Sequence, residues 1–326
     1  MSDCILTFGD LLAPVRLETF FEQNWEIEPL HIQRSESGFY ENLLTNRDVE
    51  AAISSRGLRY PGIQLARGGG FFPPETFTRT IRSGGDFFTG IPDLDRIRAE
   101  YQSGATISLP GFHRAWEPLG ALAAAIEAEL DRAVHANVYI TPGNAIGFSP
   151  HYDTHEVFVL QIAGSKRWRI HEPPLPLPHR SQPFDPRSYV LSAPLSEIDL
   201  EPGDLLYLPR GFVHTTETSD SFSLHVTLGI TVYTWIELLT EWVQLSTHSP
   251  SFRRALPPGF AGRENVRRSL GDRLARMLAE LKSITDYNTF ADGFSQRVQS
   301  TRNGQRARFS TEVIATEPRG RKPNKG

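Results

Sequence analysis

The stretch from Asn137 to Tyr233 constrains the fold most. It is a series of short β-branched and aromatic runs, "NVYITPG", "VFVLQIAG", "KRWRIHE", "DLLYLPRG" and "FSLHVTLGITVY", separated by Gly, Pro and Asp turns. Runs of this kind read as the strands of an all-β unit, a sandwich or jelly roll. One segment interrupts them. "PPLPLPHRSQPFDP" carries six prolines, which exclude helix and central strand and leave an extended surface loop.

His151, Asp153 and His155 fall within five residues at the mouth of the strand "VFVLQIAG". In an extended segment residues i and i+2 share a face, so the His151 imidazole and the Asp153 carboxylate converge. A metal needing three ligands wants one more, and "EPGDLLYLPRGFVH" offers it. There a Gly203-Asp204 turn, an apolar strand and Pro209-Arg210-Gly211 present His214. Two histidines and one carboxylate occupy one face of an octahedral metal, leave three positions open and favour Fe(II) over zinc. His-x-Asp alone is common by chance. The later His-bearing segment in the same all-β unit makes the signal specific.

The flanks read differently. Residues 1–100 are mixed α/β: a helical pattern with Phe20, Phe21 and Trp25 stops before Pro29, and a strand-like Leu30 to Ile32 follows. "ARGGGFFPPETF" and "RSGGDFFTGIP" read as Gly/Pro-punctuated loops with exposed Phe pairs. "PLGALAAAIEAELDRA" is the clearest helix. After about residue 231 the chain turns helical, with Trp235, Leu238, Leu239, Trp242 and Leu245 at helical spacing. A second apolar stripe runs through Val266, Leu270, Leu274, Met277, Leu278 and Leu281. Such stripes either pack within their own chain or form a homodimer interface. The expected division is a supporting segment over 1–100, a catalytic barrel over 101–230, a helical dimerisation region over 231–310 and a basic, disordered tail over 311–326.

Composition narrows the function classes. A formal net charge of −4 over 326 residues argues against direct nucleic-acid binding. Cys4 is the only cysteine, so no disulfide framework or cysteine-built metal site is expected, which fits a reducing cytoplasm. No signal peptide and no membrane span are read from the sequence.

"NVYITPGNAIGFSPHYDTHEVFVLQIAGSKRWRI", "LEPGDLLYLPRGFVH" and "SLHVTLGI" closely resemble the JmjC-type cupins of the ribosomal oxygenase group. The N-terminal "FFEQNWEIEPLHIQR" and "YQSGATISLPGFHRAWEPLGALAAAIEAEL" look like the same group, so the resemblance runs from about residue 15 to residue 230. It implies a mainly β fold with helical additions, a double-stranded β-helix core and a helical C-terminal region. It also implies an Fe(II)- and 2-oxoglutarate-dependent dioxygenase that uses O2 to hydroxylate a side chain, at the β-carbon of His or Arg, in a peptide or protein.

The resemblance places His151, Asp153 and His214 as iron ligands and Lys166 against the distal carboxylate of 2-oxoglutarate. Asn137, Tyr139 and Thr227 match positions beside that cosubstrate. By alternation Arg167 faces away from Lys166, and Trp168 shares its side. His155 departs from the pattern: alternation aims it at the metal face, where it either supports the site, meets substrate or simply packs. His225 is expected no closer than behind the ligands. The stretch after the barrel fits a helical dimerisation region but not a complete winged helix, which tilts the expected substrate from a ribosomal protein toward a peptide natural-product precursor. A JmjC-type N-methyl-lysine demethylase and a non-catalytic cupin binding metal or peptide are the alternatives.

Overall fold

A computed structural model describes residues 6–305 apart from 56, 285 and 286, so Cys4 and the tail expected over 311–326 lie outside the described residues. The chain divides into two compact units, Met1–Val232 and Tyr233–Gly326.

The first unit opens with α1 (Phe8–Leu12) and α2 (Leu17–Gln23), then β1 (Leu30–Ile32), α3 (Asn46–Ser55), β2 (Gln64–Arg67), β3 (Gly70–Phe71), β4 (Thr78–Ser83) and β5 (Asp86–Pro92). α4 (Leu94–Gln102), β6 (Thr106–Leu109) and α5 (Glu117–Leu130) lead into the all-β stretch. Its strands are β7 (Val134–Thr141), β8 (Glu156–Gly164), β9 (Lys166–His171), β10 (Ser196–Leu200), β11 (Leu205–Leu208), β12 (Val213–Glu217) and β13 (Ser223–Ile230). They pair into an eight-stranded sheet, β1-β11-β8-β13-β7-β6-β2-β3, and a three-stranded sheet, β10-β9-β12. This is the mainly β, double-stranded β-helix architecture with helical additions that the sequence led us to expect.

Strand periodicity decides what each face of the large sheet covers. Along β8, Phe158, Leu160 and Ile162 point to the outer core with the helices, while Val157 and Val159 point to the inner core with Trp168 and Ile170 of the small sheet. β11 splits the same way, with Leu205 and Tyr207 outside and Leu206 and Leu208 inside. Both faces are buried, so these strands read as nearly continuous apolar runs. Each fully buried Leu or Phe contributes roughly 1.5–3 kcal/mol. β13 carries the exception that matters: Leu224, Val226, Leu228 and Ile230 fill the outer core, and the alternate residues His225 and Thr227 turn inward.

Three local expectations need correction. The helix of "LETFFEQNW" stops at Gln23, and Trp25 lies beyond it, stacked on Tyr207 at 6.0 Å and 7°. The two Gly-rich segments are hairpins, not loops. Gly68-Gly69 turns β2 into β3 and Gly84-Gly85 turns β4 into β5, all four at positive φ. Two-residue turns of that hand match the twist of the flanking strands, and glycine adopts them without strain.

The second unit holds α6 (Trp235–Leu245), α7 (Pro250–Arg253), α8 (Glu264–Ile284) and α9 (Tyr287–Gln305). Thr234 and Glu237 form a capping box at the start of α6. The apolar residues of α6 separate onto two sides. Leu238, Trp242 and Leu245 are half-buried, with Trp242 against Phe290 of α9. Trp235, Ile236, Leu239 and Val243 are exposed. No helix among the described residues is long and apolar enough to cross a membrane.

Candidate active site

His151 and Asp153 lie in the loop before β8, and His214 lies in β12. The backbones of His151 and His214 form an isolated antiparallel bridge, in which the His214 N–H donates to His151 O at 2.9 Å. Directly opposed residues bring their side chains together, and the two imidazole centroids stand 4.4 Å apart. The Gly211 N–H donates to Asp153 O at 3.0 Å, which fixes the third member on the same framework.

Tautomers follow from the carbonyls nearby. His151 Nδ1 is 2.8 Å from Ser149 O and His214 Nδ1 is 3.2 Å from Phe212 O. A carbonyl only accepts, so each Nδ1 carries the proton and each Nε2 keeps its lone pair for a metal. Burial, reinforced by the His151 imidazole, pushes His214 down to about 4, so it stays neutral at neutral pH. Burial alone would raise the Asp153 carboxyl, but His155, His214 and His151 outweigh it and hold it below the ordinary value. One ligand atom from each of His151, Asp153 and His214 lies within 4.8 Å of the others. Ligands on one face of an octahedral ion, at bonds of about 2.1 Å, stand about 3 Å apart, so side-chain adjustments on the order of an ångström bring all three onto one metal. The donor set, two imidazoles and one carboxylate, suits iron(II).

These residues open into a cavity of about 90 Å³ between the two sheets. Tyr139, Val157, His225 and Thr227 line it from the large sheet, and Lys166, Trp168, His214 and Thr216 from the small one. Lys166 is 3% exposed and its Nζ donates to Thr141 Oγ1 at 3.1 Å. Among the described residues it has no carboxylate partner. Burial pushes its ammonium down to about 7. Gly147 faces it: a Cβ there would stand 2.8 Å from Thr216 Oγ1 and 3.4 Å from Lys166 Nζ. The cavity thus keeps space beside an unpaired cation, which fits a small anion.

Alternation places the neighbours of Lys166 as expected. Arg167 faces outward and pairs with Asp199 at 2.7 Å, while Trp168 is buried in the cavity wall. Tyr139 and Thr227 line the cavity. Asn137 does not: its Oδ1 accepts from the Gly111 N–H at 2.9 Å, and its side chain supports the Tyr139 hydroxyl, together with Thr227 and Ser108. His155 does not join the triad. It packs against His135 at 4.9 Å over Gly229, close enough to Asp153 to bear on its charge. His225, expected behind the ligands, is on the wall itself, stacked on Tyr139 at 5.2 Å and 18°. Thr216 was missed, although its place two residues after His214 on one strand carried the signal. Phe148, also missed, lines the mouth and meets Phe71 of the β2–β3 hairpin at 5.7 Å.

Residues 116–238 match the family model of the JmjC domain. Among curated proteins, the chain is 34% identical over 225 residues to a Drosophila persimilis bifunctional lysine-specific demethylase and histidyl-hydroxylase NO66, covering 68% of this chain and 31% of that protein. It is 28% identical over 320 residues to rat ribosomal oxygenase 2, covering 94% of this chain and 62% of the relative. The chain therefore spans between about a third and three-fifths of the length of these two relatives. In fold it resembles the Escherichia coli protein YcfD, with a TM-score of 0.54 at 18% identity over 87% of this chain and 72% of that one. A structure of YcfD in complex with cobalt and 2-oxoglutarate matches with a TM-score of 0.52 at 18% identity, covering 82% and 67%.

Proposed function

Because residues 116–238 form a JmjC domain related to those of the ribosomal oxygenases, we propose that this protein is an Fe(II)- and 2-oxoglutarate-dependent dioxygenase that hydroxylates a side chain, a histidine in the first instance, within a protein substrate. The observation that carries the reading is one cavity holding a His-Asp-His donor set and, on the same inner face, a buried lysine without an anionic partner. A dicarboxylate that also reaches the metal answers both. YcfD, of the same fold, is known in complex with cobalt and 2-oxoglutarate.

His151, Asp153 and His214 would hold iron(II) and leave three positions for cosubstrate and O2. Iron(II) with 2-oxoglutarate and O2 supplies the oxidising power: the cosubstrate is split to succinate and CO2, and one oxygen atom is inserted into a C–H bond of the target. Everything else falls to the chain. Lys166, protonated, pairs with the distal carboxylate, and Tyr139 and Thr227 bring hydroxyls to the same wall. His214, kept neutral by burial, offers its lone pair without first shedding a proton. The apolar side chains of Phe148, Val157 and Trp168 on the cavity wall would limit water beside the reacting carbon.

Incubation with iron(II), 2-oxoglutarate, O2 and candidate ribosomal-protein peptides should yield succinate together with a peptide heavier by one oxygen atom, located on histidine by fragmentation. No succinate with any substrate sinks the reading. The Drosophila relative's name pairs histidyl hydroxylation with lysine demethylation, so a second reading is removal of N-methyl groups, told apart by formaldehyde release. The relatives favour a ribosomal protein over a peptide precursor.

We also propose that the helical unit pairs two copies, through the exposed Trp235, Ile236, Leu239 and Val243 of α6. A reducing, cytoplasmic compartment suits the ferrous site.

A further inference from the structure

The Pro-rich segment between β9 and β10 stands out in the sequence and has no role in the reading above. It leaves β9 at His171 and enters β10 at Ser196, and its one regular element is a single 3-10 turn, Pro186–Ser188. The segment does more than cross the surface. Its middle holds both stretches of chain that carry the triad, at residues that do not themselves line the cavity.

The first hold is on Tyr152. Alternation turns this residue away from the face shared by His151 and Asp153, and it is 8% exposed. Phe184 meets its ring edge-on at 5.1 Å and 81°, and its hydroxyl donates to Gln182 O at 3.0 Å. The second hold is on Gly211, whose N–H donates to Asp153 O and which stands three residues before His214. At φ +95° Gly211 lies so close under the segment that a Cβ would stand 2.7 Å from Leu175 O and 2.8 Å from Pro178 Cδ. Leu177, beside that contact, has φ 49°, a left-handed conformation that a residue with a side chain keeps only where its surroundings impose it. The far end is tied to β9: His171 Nδ1 is 2.9 Å from Ser192 O, and the Leu195 N–H donates to Ile170 O at 2.7 Å. Ile170 is the register partner of His214.

His151 and Asp153 lie outside the named strands, so no continuous ladder fixes their backbone. Contacts behind them must supply that order. Six prolines stiffen the segment that makes those contacts, since each fixes its own φ. Order already present in the free protein is not subtracted from the free energy of binding.

We propose that residues 173–195 brace the triad, with Tyr152, Phe184 and Gly211 as positioning residues that set how tightly His151, Asp153 and His214 take up a divalent metal. The inference rests on the metal site of the proposed function. It makes the Pro-rich segment part of that site, although none of its side chains reaches the donors.

The test is titration of the full chain with Mn(II), as a stand-in for iron(II), followed by electron paramagnetic resonance. This reads both the free ion and the line shape of the bound one. Each variant is measured at a temperature where circular dichroism shows it folded. Phe184→Ala removes the ring against Tyr152, Phe184→Tyr keeps it, and Tyr152→Phe removes only the bond to Gln182 O. The Kd should rise about tenfold or more in Phe184→Ala and at least about threefold in Tyr152→Phe, and stay within about twofold of wild type in Phe184→Tyr. The bound-ion lines should broaden in the first two, because a looser donor set holds the ion in a spread of geometries. A merely structural role would lower thermal stability and leave Kd and line shape unchanged. A folded Phe184→Ala that binds Mn(II) within about twofold of wild type overturns the inference, as does an unchanged Tyr152→Phe should Phe184→Ala fail to fold. A wild type that binds no Mn(II) overturns the metal site itself, and the proposed function with it.

Discussion

A lysine buried without a counter-charge should announce its partner by taking up a proton. In the free protein burial pushes Lys166 down to about 7, so above that pH it is largely neutral. A dicarboxylate at Nζ restores the charged form, and binding above about pH 7 therefore consumes one proton. Each pH unit between about 7 and the ordinary lysine value of 10.5 should weaken 2-oxoglutarate binding about tenfold, or about 1.4 kcal/mol. Stability of the free protein runs the opposite way. Across that window the unfolded chain holds a proton that the folded one has lost, so the contribution of Lys166 to stability rises with pH and is worst below about 7. Replacing Lys166 by Met, of similar shape and no charge, should raise the thermal stability of the free protein at low pH. It should also weaken binding by at least about tenfold at neutral pH, the worth of a charged hydrogen bond of roughly 1.5–3 kcal/mol. The assay is calorimetric titration of the Mn(II)-loaded chain in buffers of differing ionisation enthalpy, which counts the proton directly. If the variant keeps the same proton uptake and pH slope, the titrating group is elsewhere and the argument from burial fails.

Other expectations are more quickly stated. Asp153→Ala should leave far-ultraviolet circular dichroism unchanged and cut succinate formation on the order of a hundredfold or more, because one of three metal ligands is gone; near-wild-type turnover would dismiss the triad. Gly147→Ala places a methyl group against Thr216 and Lys166, so the Michaelis constant for 2-oxoglutarate should rise several-fold while metal affinity holds; an unchanged constant would mean the anion lies elsewhere. Light scattering at micromolar concentration should give about twice 36.6 kDa for the wild type and about one chain mass for Leu239→Asp, a charge on the exposed side of α6. A monomeric wild type would remove the pairing proposal.

The constellation at the barrel mouth was legible because strand geometry is so regular. His151 with Asp153, Lys166 with Trp168, and the outward Arg167 all followed from alternation, and their placement in the structure agrees with it. One position was only half legible: counting two from Asp153 aimed His155 at the metal face, and its ring packs on His135 while its charge still bears on Asp153. The Gly-rich segments looked like loops because four glycines mask strands only a few residues long, and pairing with a neighbour, invisible in one chain, is what makes them strands. Trp242 and Leu238 were grouped with Trp235 and Leu239, since helical spacing tells that residues are apolar and not which of two apolar sides meets α9.

The strand order of the large sheet also separates the span of the family model from the unit that folds. The JmjC match begins at residue 116, yet β1, β2, β3 and β6 all come from residues before it and sit at the two edges of that sheet. Arg210, one residue before the Gly211 that holds Asp153, bridges Glu156 at the start of β8 to Glu26 in the N-terminal segment, and Tyr207 donates to the same Glu156 at 2.5 Å. Excising the matched region would expose two raw sheet edges and strip the outer carboxylate from a cation that is 5% exposed, one residue from the backbone contact to Asp153. A fragment cut at the edge of the family match should therefore aggregate instead of folding as a smaller unit. The chemistry is written in one half of the unit, and its rigidity is on loan from the other.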